Sequence, residues 1–194
     1  MDPLLIEVPE HIETERLLLR RARPGDGPAV CAAVRASLDE LRPWMPWAQA
    51  EPSVDESETH VRRMHANFSL RQDLAYFMFD RTEDSSESGF IGGIGLHRID
   101  WTVPRFEVGY WRRSGCAGRG FVIEAVRALS RMAFDDLAAQ RVEIRLDERN
   151  AASARVAERA GFTFEGLLRR DTRTVVGAPR DTRVYSRVRG IEEP

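Results

Sequence analysis

One segment restricts the fold more than any other: residues 107–124 have the pattern of a strand, a glycine-rich loop and the start of the clearest helix. The first turn of a helix leaves backbone N–H groups unpaired, and the helix dipole favours anions there. Gly118 and Gly120 let an anion approach those groups closely, and Arg112 and Arg119 add positive charge. The pattern therefore predicts either a site suited to a pyrophosphate or a glycine-rich turn without a ligand.

Two other nucleotide-binding patterns do not fit the sequence. The loop lacks the Lys-Ser/Thr pair that defines the phosphate loop of nucleotide hydrolases. Residues 89–95 have a glycine spacing similar to a dinucleotide fingerprint, but no helix pattern follows them. We interpret those glycines as strand kinks or close-packing positions. A dinucleotide-dependent oxidoreductase is therefore disfavoured.

Strand and helix patterns alternate along the chain, with a hairpin-like middle. This order favours an α/β (α+β) architecture, a mixed sheet covered by helices on both faces. Two prolines within residues 41–47 predict an irregular loop, and the polar residues 82–88 predict a hairpin loop. The predicted strands cover residues 15–21, 74–80, 90–99, 105–112, 141–147, 162–168 and 183–188, and the predicted helices cover about 28–38, 54–72, 118–137 and 150–161.

Length and charge narrow the class of protein. A chain of 194 residues suits one domain over 1–194. The net charge of −2 argues against nucleic acid as the main partner, and no run of about 18 apolar residues predicts a membrane span. The acidic start is unlike a secretory signal, so we expect a cytoplasmic protein in which Cys31 and Cys116 are reduced thiols. The histidine spacing predicts no metal site.

Eight short segments, each weak by itself, form a specific combination. Residues 107–111 and 118–125 resemble the strand, loop and acyl-CoA-binding helix of the GNAT superfamily of N-acetyltransferases, in its RimJ/RimL-like branch. Ala117 stands where that loop often begins with Gln or Arg, and Val122 stands where Gly or Ala is usual, but the backbone donors survive both changes. The other matching segments are 14–20, 41–47, 141–145, 150–153, 158–162 and 165–166.

The resemblance implies a fold and a co-substrate, and it implies no metal. In that family two neighbouring parallel strands splay apart within a mostly antiparallel sheet of about seven strands, and the pantetheine arm of acetyl-CoA lies in the gap. Tyr110, Trp111 and Arg112 would lie beside the acetyl and pantetheine portion, Asn150 would contact pantetheine, and Ser153 would face the thiol. The pyrophosphate would bind the backbone of Ala117, Gly118, Arg119, Gly120, Phe121 and Val122.

Acetyl transfer to an amine requires a proton acceptor, an oxyanion donor and a proton for the leaving thiolate. Glu107 is the predicted general base, acting through a water, and the alternative is a structural glutamate paired with an arginine. Ser153 is the predicted proton donor to the thiolate; alternatively, Asn150 and Ser153 only cap a helix. A backbone N–H between Gly109 and Trp111 is predicted to stabilise the oxyanion.

The acceptor side is less defined by the sequence. Trp44 and Trp47 are candidate walls of the acceptor site, or alternatively a plug in the core. The acidic segments 51–58 and 80–87 either draw in a cationic amine or are solvated loops. Tyr185 matches a family position in the last strand, although a structural, half-buried tyrosine is the favoured interpretation.

The resemblance implies an N-acetyltransferase that transfers acetyl from acetyl-CoA to a primary amine. The RimJ/RimL-like branch favours a protein N-terminal α-amine, as on a ribosomal protein. Two alternatives remain: an enzyme for small-molecule amines such as polyamines or aminoglycosides, and a non-catalytic acyl-CoA-binding module. The family also implies a homodimer as one assembly state.

Overall fold

A mixed sheet forms the centre of the computed structural model, which describes residues 2–82 and 89–193. Every pair of neighbouring strands in this sheet is antiparallel except the fifth and sixth, which run parallel. The strands are β1 His11–Glu13, β2 Leu17–Arg21, β3 Leu74–Asp80, β4 Phe90–Asp100, β5 Arg105–Arg112, β6 Arg141–Asp147, β7 Thr163–Arg173 and β8 Pro179–Val188, in the order β1-β2-β3-β4-β5-β6-β8-β7.

The predicted fold class is confirmed, with eight strands in place of about seven. The additional strand, β1, has three residues, too few for its alternation to stand out in the sequence. The hairpin of β7 and β8 is longer than predicted, because most of β7 is exposed and therefore lacks an apolar face that would reveal its period. Beyond Thr82, the hairpin loop predicted for residues 82–88 lies outside the described residues.

Five α-helices cover the two faces of the sheet within the described residues. The clearest helix begins at Phe121 and not at 118, because Gly118 and Gly120 have φ angles of +74° and +80°, which no right-handed helix accepts. A four-residue helix precedes the prolines of the segment predicted as an irregular loop. The helices are α1 Gly27–Arg35, α2 Leu38–Leu41, α3 Val54–Ser69, α4 Phe121–Asp135 and α5 Ala151–Arg159.

The sheet separates two apolar cores. On one face, Leu96 and Phe106 pack with Leu129 of α4 in a core that also includes α5. On the other face, Phe77 and Phe90 pack with residues of α1 and α3. β3 is buried along its whole length because both of its faces are covered, which explains its nearly continuous apolar sequence. No helix within residues 2–82 and 89–193 is long and apolar enough to cross a membrane.

Candidate active site

The parallel pair β5–β6 opens after three residues. Arg105, Phe106 and Glu107 pair with Arg141, Val142 and Glu143, and the pairing ends there. Beyond Glu107, β5 continues along β4 while β6 continues along β8, so the two strands separate. The predicted splayed pair is therefore confirmed. Within residues 2–82 and 89–193, the edge of β5 that faces this gap has no partner strand from residue 108 onward, which leaves backbone amides available to a ligand.

Tyr110 and Ser153 form a bridge across the gap on the α4–α5 side. The Tyr110 hydroxyl lies 2.8 Å from Ser153 Oγ, and Asn150 Oδ1 accepts a hydrogen bond of 3.0 Å from the Ser153 amide. Asn150 is thus the N-cap of α5, as its sequence position predicts. Burial raises the pKa of Tyr110 to about 12, so the phenol stays protonated at neutral pH and can donate a hydrogen bond.

The glycine-rich loop presents open backbone at the start of α4. A β-carbon on Gly118 would meet nothing within 4 Å, so this glycine is required by its positive φ and not by crowding. The Ala117 amide donates to the Ser114 carbonyl at 3.1 Å and is already used inside the loop. Among the described residues, no acceptor pairs with the amides of Gly118, Gly120, Phe121 and Val122.

The arginines of the loop are held by acids. Arg119 lies 2.9 Å from Asp80 Oδ2 and stacks 4.4 Å from the centre of the Phe121 ring. Arg112 lies 3.1 Å from Glu40 Oε2. These pairs reduce the positive field that the sequence predicts, so the backbone amides carry most of the anion-binding capacity of the loop.

A clamp between α4 and the turn that joins β1 to β2, which the sequence did not predict, fixes the loop. Glu124 Oε1 accepts a hydrogen bond of 2.6 Å from the Thr14 hydroxyl, and Glu124 Oε2 accepts one of 2.7 Å from Arg16 Nε. Arg16 Nη1 also donates to the Arg119 carbonyl at 3.0 Å. The signal that could have found this clamp is the family-like segment 14–20, whose polar residues have no role within a strand.

Three glycines form a trough on the α1–α3 face of the sheet, on the opposite side from Tyr110. A β-carbon on Gly93 would lie 2.6 Å from Nε1 of Trp111, which shows that this indole rests directly on the strand. β-Carbons on Gly95 and Gly109 would lie 2.9 Å and 2.8 Å from ring atoms of His97. Gly93 and Gly95 are therefore close-packing positions, one of the two interpretations drawn from the sequence of residues 89–95, and Gly109 shares this role.

The trough is the floor of a cavity of about 950 Å³. Trp44 and Trp47 both line this cavity, and the ring centres of Trp47 and Trp111 are 5.7 Å apart. Trp47 is 52% exposed, which rules out the alternative that it plugs the core. The tip of the β7–β8 hairpin borders the same cavity, although the sequence did not link it to the site. Glu51 and Glu56 also line it, whereas the acidic segment 80–87 lies mostly outside the described residues.

Glu107 stands where the strands separate and faces the cavity. Its Oε2 atom is buried and has no hydrogen-bond partner among the described residues. The nearest cations are Arg98, with Nε at 3.5 Å, and Arg145, with Nε at 4.0 Å. Burial raises the pKa of this carboxyl, although Arg98 opposes the shift. Glu107 is therefore not satisfied as a simple structural ion pair would be.

The cavity also contains a histidine that sequence reasoning missed as a functional residue. His97 Nδ1 lies 2.7 Å from Asp73 Oδ2. In the sequence, the spacing of the histidines bears only on a metal site. Residues at the starts and ends of different strands share no periodic pattern that would predict their contact. Among residues 2–82 and 89–193, no cluster of three or more side chains could hold a metal ion. Tyr185 is buried and donates to Glu158 at 3.1 Å, in line with a structural role.

The fold and the open strand pair define the class of protein as a GNAT-type transferase. Residues 16–163 match the family model described as "Acetyltransferase (GNAT) domain". The chain therefore belongs to the GNAT acetyltransferase family. Members of this family take the acetyl group from acetyl-CoA, so the chain is an acetyl-CoA-dependent acetyltransferase, and the alternative of a non-catalytic module is set aside.

Relatives with known names support this assignment. The chain is 29% identical over 187 residues to the uncharacterized N-acetyltransferase YoaA of Bacillus subtilis (strain 168), covering 93% of this chain and 98% of YoaA. It is 28% identical over 146 residues to the ribosomal-protein-serine acetyltransferase of Escherichia coli (strain K12), covering 75% of this chain and 79% of that protein. The structure of RimL, a ribosomal L7/L12 alpha-N-protein acetyltransferase in complex with coenzyme A, superposes with a TM-score of 0.83 at 24% identity, covering 92% and 98% of the two chains.

Proposed function

We propose that this enzyme transfers the acetyl group of acetyl-CoA to the N-terminal α-amine of a protein. One observation carries the proposal: the strands part after Glu107, with an open loop on one side of the gap and a large cavity on the other. A thioester entering along the loop and an amine entering through the cavity would meet at the exposed edge of β5. Bringing two reactants together in this way supplies much of the rate of such a reaction.

The donor side fits acetyl-CoA. The pyrophosphate would bind the unpaired amides of Gly118, Gly120, Phe121 and Val122, with Arg119 beside it, while Ala117 shapes the turn. The pantetheine arm would follow the gap past the backbone of residues 110–112 and reach Asn150. Trp111 and Arg112 contribute only backbone in this arrangement, because their side chains are engaged with Gly93 and Glu40.

The proposed reaction requires no covalent enzyme intermediate. The amine nitrogen attacks the acetyl carbon, a C–N bond forms, and an amide between Gly109 and Trp111 holds the oxyanion. Glu107 takes the proton that the nitrogen loses after attack, directly or through a water. The C–S bond then breaks, and the thiolate takes a proton from the Ser153 hydroxyl, which Tyr110 orients at 2.8 Å. Solvent then returns a proton to Ser153 and takes one from Glu107.

The cavity suits a peptide end better than a polycation. Five carboxylates and four guanidinium groups line it, so its charge is nearly balanced. A polyamine or aminoglycoside carries several positive charges and would favour an acidic wall. Trp44 and Trp47 would contact the first residues of the acceptor. The relative named ribosomal-protein-serine acetyltransferase supports a protein acceptor.

A thiol-release assay tests the proposal. Acetyl-CoA would be offered with a panel of short peptides that differ at the first residue, with the same peptides blocked at the N-terminus, and with spermidine and an aminoglycoside. We expect free CoA only with unblocked peptides, and mass spectrometry should locate the acetyl group on the α-amine. Turnover with the small amines alone would replace the protein acceptor with a small-molecule acceptor. No heat on calorimetric titration with acetyl-CoA would overturn the donor site.

The domain number, the oligomeric state and the location of the protein are also part of the proposal. We propose that residues 1–194 form a single domain, because one sheet joins all the described strands. The homodimer, the cytoplasmic location and the lack of a nucleic-acid partner stay predictions. Sedimentation of the purified chain with and without acetyl-CoA would test the first of these.

A further inference from the structure

His97 and Asp73 form a pair that the transfer mechanism above does not use. His97 lies near the end of β4, directly opposite Glu107 on β5, and Asp73 immediately precedes β3. Asp73 Oδ2 lies 2.7 Å from His97 Nδ1. Because a carboxylate can only accept a hydrogen bond here, Nδ1 carries the proton and Nε2 is left with a free lone pair. This is the arrangement of a histidine prepared to accept a proton at Nε2.

The imidazole is held over the place where the acetyl carbonyl is proposed to bind. A β-carbon on Gly109 would lie 3.0 Å from His97 Nε2, and one on Gly95 would lie at the same distance. The ring can rest there only because both positions are glycine, on two adjacent strands. Gly109 begins the stretch of β5 proposed to stabilise the oxyanion. His97 therefore combines a fixed orientation with a position beside the reacting atoms.

The pair is open to the cavity. The side chain of His97 is 36% exposed and that of Asp73 is 31% exposed, and both line the cavity. Charged and titratable groups from the surrounding elements line the same cavity. They are Glu107 from β5, Arg145 and Asp147 from β6, Glu56, His60 and Arg63 from α3, Arg173 from β7 and Arg180 from β8. Arg98 follows His97 on β4 and pairs with Glu107. An amine that enters this cavity as an ammonium ion would therefore share it with the imidazole.

The protons of the reaction call for a second acceptor. An α-amine is largely protonated at pH 7, since its pKa is ordinarily about 7.7–8.0. The ammonium must lose one proton before it can attack and a second one after the C–N bond forms. Glu107 is assigned to the second proton, which leaves the first without an acceptor.

We propose that His97, oriented by Asp73, is a catalytic residue that takes the first proton from the bound ammonium group at Nε2. The N–H bond of the ammonium breaks, an Nε2–H bond forms, and Asp73 stabilises the resulting imidazolium. The imidazolium then releases its proton to solvent through the cavity. This proposal rests on the proposed acetyl transfer. The amine nitrogen loses two protons in succession, of which His97 takes the first and Glu107 takes the second.

Two acetyl acceptors distinguish the role of His97 from that of Glu107. A peptide from the panel arrives as a cation, whereas hydroxylamine is a neutral nucleophile at pH 7 and needs no initial deprotonation. We expect His97→Gln to lower kcat/KM for the peptide about tenfold at pH 7, because only the neutral fraction of the amine then reacts, and the loss should shrink above pH 8. For hydroxylamine, kcat/KM should stay within about threefold. Asp73→Asn should show the same selectivity with a smaller loss. His11→Gln, on the exposed part of β1, is the matched control and should behave as wild type.

Different results would contradict the role of His97 and the proposed acetyl transfer. Equal losses with both acceptors, or a loss with the peptide that does not shrink above pH 8, would overturn the role of His97 while leaving acetyl transfer intact. Thiol release that does not exceed the uncatalysed rate with either acceptor in the wild type would overturn the proposed function instead. In that case nitrogen NMR of the His97 ring still decides the geometry. A proton resident on Nε2 and absent from Nδ1 at pH 8 would refute the pair.

Discussion

The two faces of the sheet on either side of the open strand pair are built differently. On the α4–α5 face, the proposed donor site consists of backbone: unpaired amides at the start of α4 and the exposed edge of β5. On the α1–α3 face, the proposed acceptor site consists of side chains, namely Glu107, His97 and the tryptophans, placed over a glycine trough. If the proposed sites are right, the co-substrate common to the family is recognised by main-chain geometry, while chemistry and specificity depend on side chains that can vary without changing the fold.

The largest effect should come from the acceptor face. We expect Glu107→Gln to lower kcat about 100-fold or more, because an amide cannot take the proton of the attacking amine. Its affinity for acetyl-CoA should be unchanged, since the donor contacts lie on the other face. Steady-state kinetics and calorimetry measure the two quantities. A normal kcat across pH 6–9 would remove Glu107 from the mechanism and restore the structural interpretation.

Backbone strain in the glycine-rich loop should weaken the binding of acetyl-CoA. We expect Gly120→Val to weaken acetyl-CoA binding roughly 10- to 100-fold, because a β-branched residue at φ +80° costs about 1–3 kcal/mol or displaces the loop. Gly161→Val is a matched control, since Gly161 has φ +91° and open space around it but lies after α5. Calorimetry should show normal affinity in the control. Equal loss of affinity in both variants would mean that stability, and not the loop, is responsible.

A smaller effect is expected at the Tyr110–Ser153 bridge across the open strand pair. Ser153→Ala should lower kcat about tenfold with acetyl-CoA affinity retained, because a thiol with a pKa near 8.5 needs only modest help to leave. Tyr110→Phe keeps the Ser153 hydroxyl and removes its partner, so its loss should be smaller. Rapid-quench measurement of a single turnover would test the order. A loss of acetyl-CoA affinity without a change in kcat would make Ser153 a binding residue.

The rim of the acceptor cavity should show a weaker dependence. Trp47→Ala is expected to raise KM for the peptide about fivefold and to leave kcat unchanged, since a half-exposed aromatic contact contributes about 1 kcal/mol. Leu5→Ala is a control, because Leu5 is 74% exposed and distant from the cavity lining. Kinetics with the best peptide measure both. An equal change in kcat would place Trp47 in the chemical step.

The smallest effect concerns stability. Burial raises the pKa of Glu107, so the ionised carboxylate disfavours the folded state once the pH rises above the ordinary value of 4.5. Glu107→Gln should therefore be at least as stable as the wild type at pH 7, and the difference should disappear below about pH 4. Urea unfolding at the two pH values measures this. A variant that is less stable at pH 7 would show that Arg98 and Arg145 outweigh the burial of the charge.

Much of the donor site could be predicted from the sequence, because its parts are consecutive in the chain. The strand, the loop glycines and the helix start all lie within residues 107–124, and Asn150 and Ser153 are three residues apart. Local rules for helix starts and glycine conformations apply to such segments directly. Local rules fail at Ala117. Its amide was expected to bind the pyrophosphate, but it donates to the Ser114 carbonyl inside the loop.

The acceptor side required the tertiary structure. Asp73, His97 and Glu107 belong to three segments that meet only when β3, β4 and β5 pair in their observed register. A shift of one residue would turn these side chains to the opposite face. The same register places Gly95 and Gly109 under the imidazole, which no composition or spacing indicates.

The sequence by itself determined the class of fold, the glycine-rich start of the main helix and the family, because periodicity and backbone conformation are local properties of a chain. Tertiary structure alone decided which side chains share the cavity, how the loop arginines are paired and where the parallel strands part. Those features depend on strand register and on burial, which arise from contacts between residues far apart in sequence.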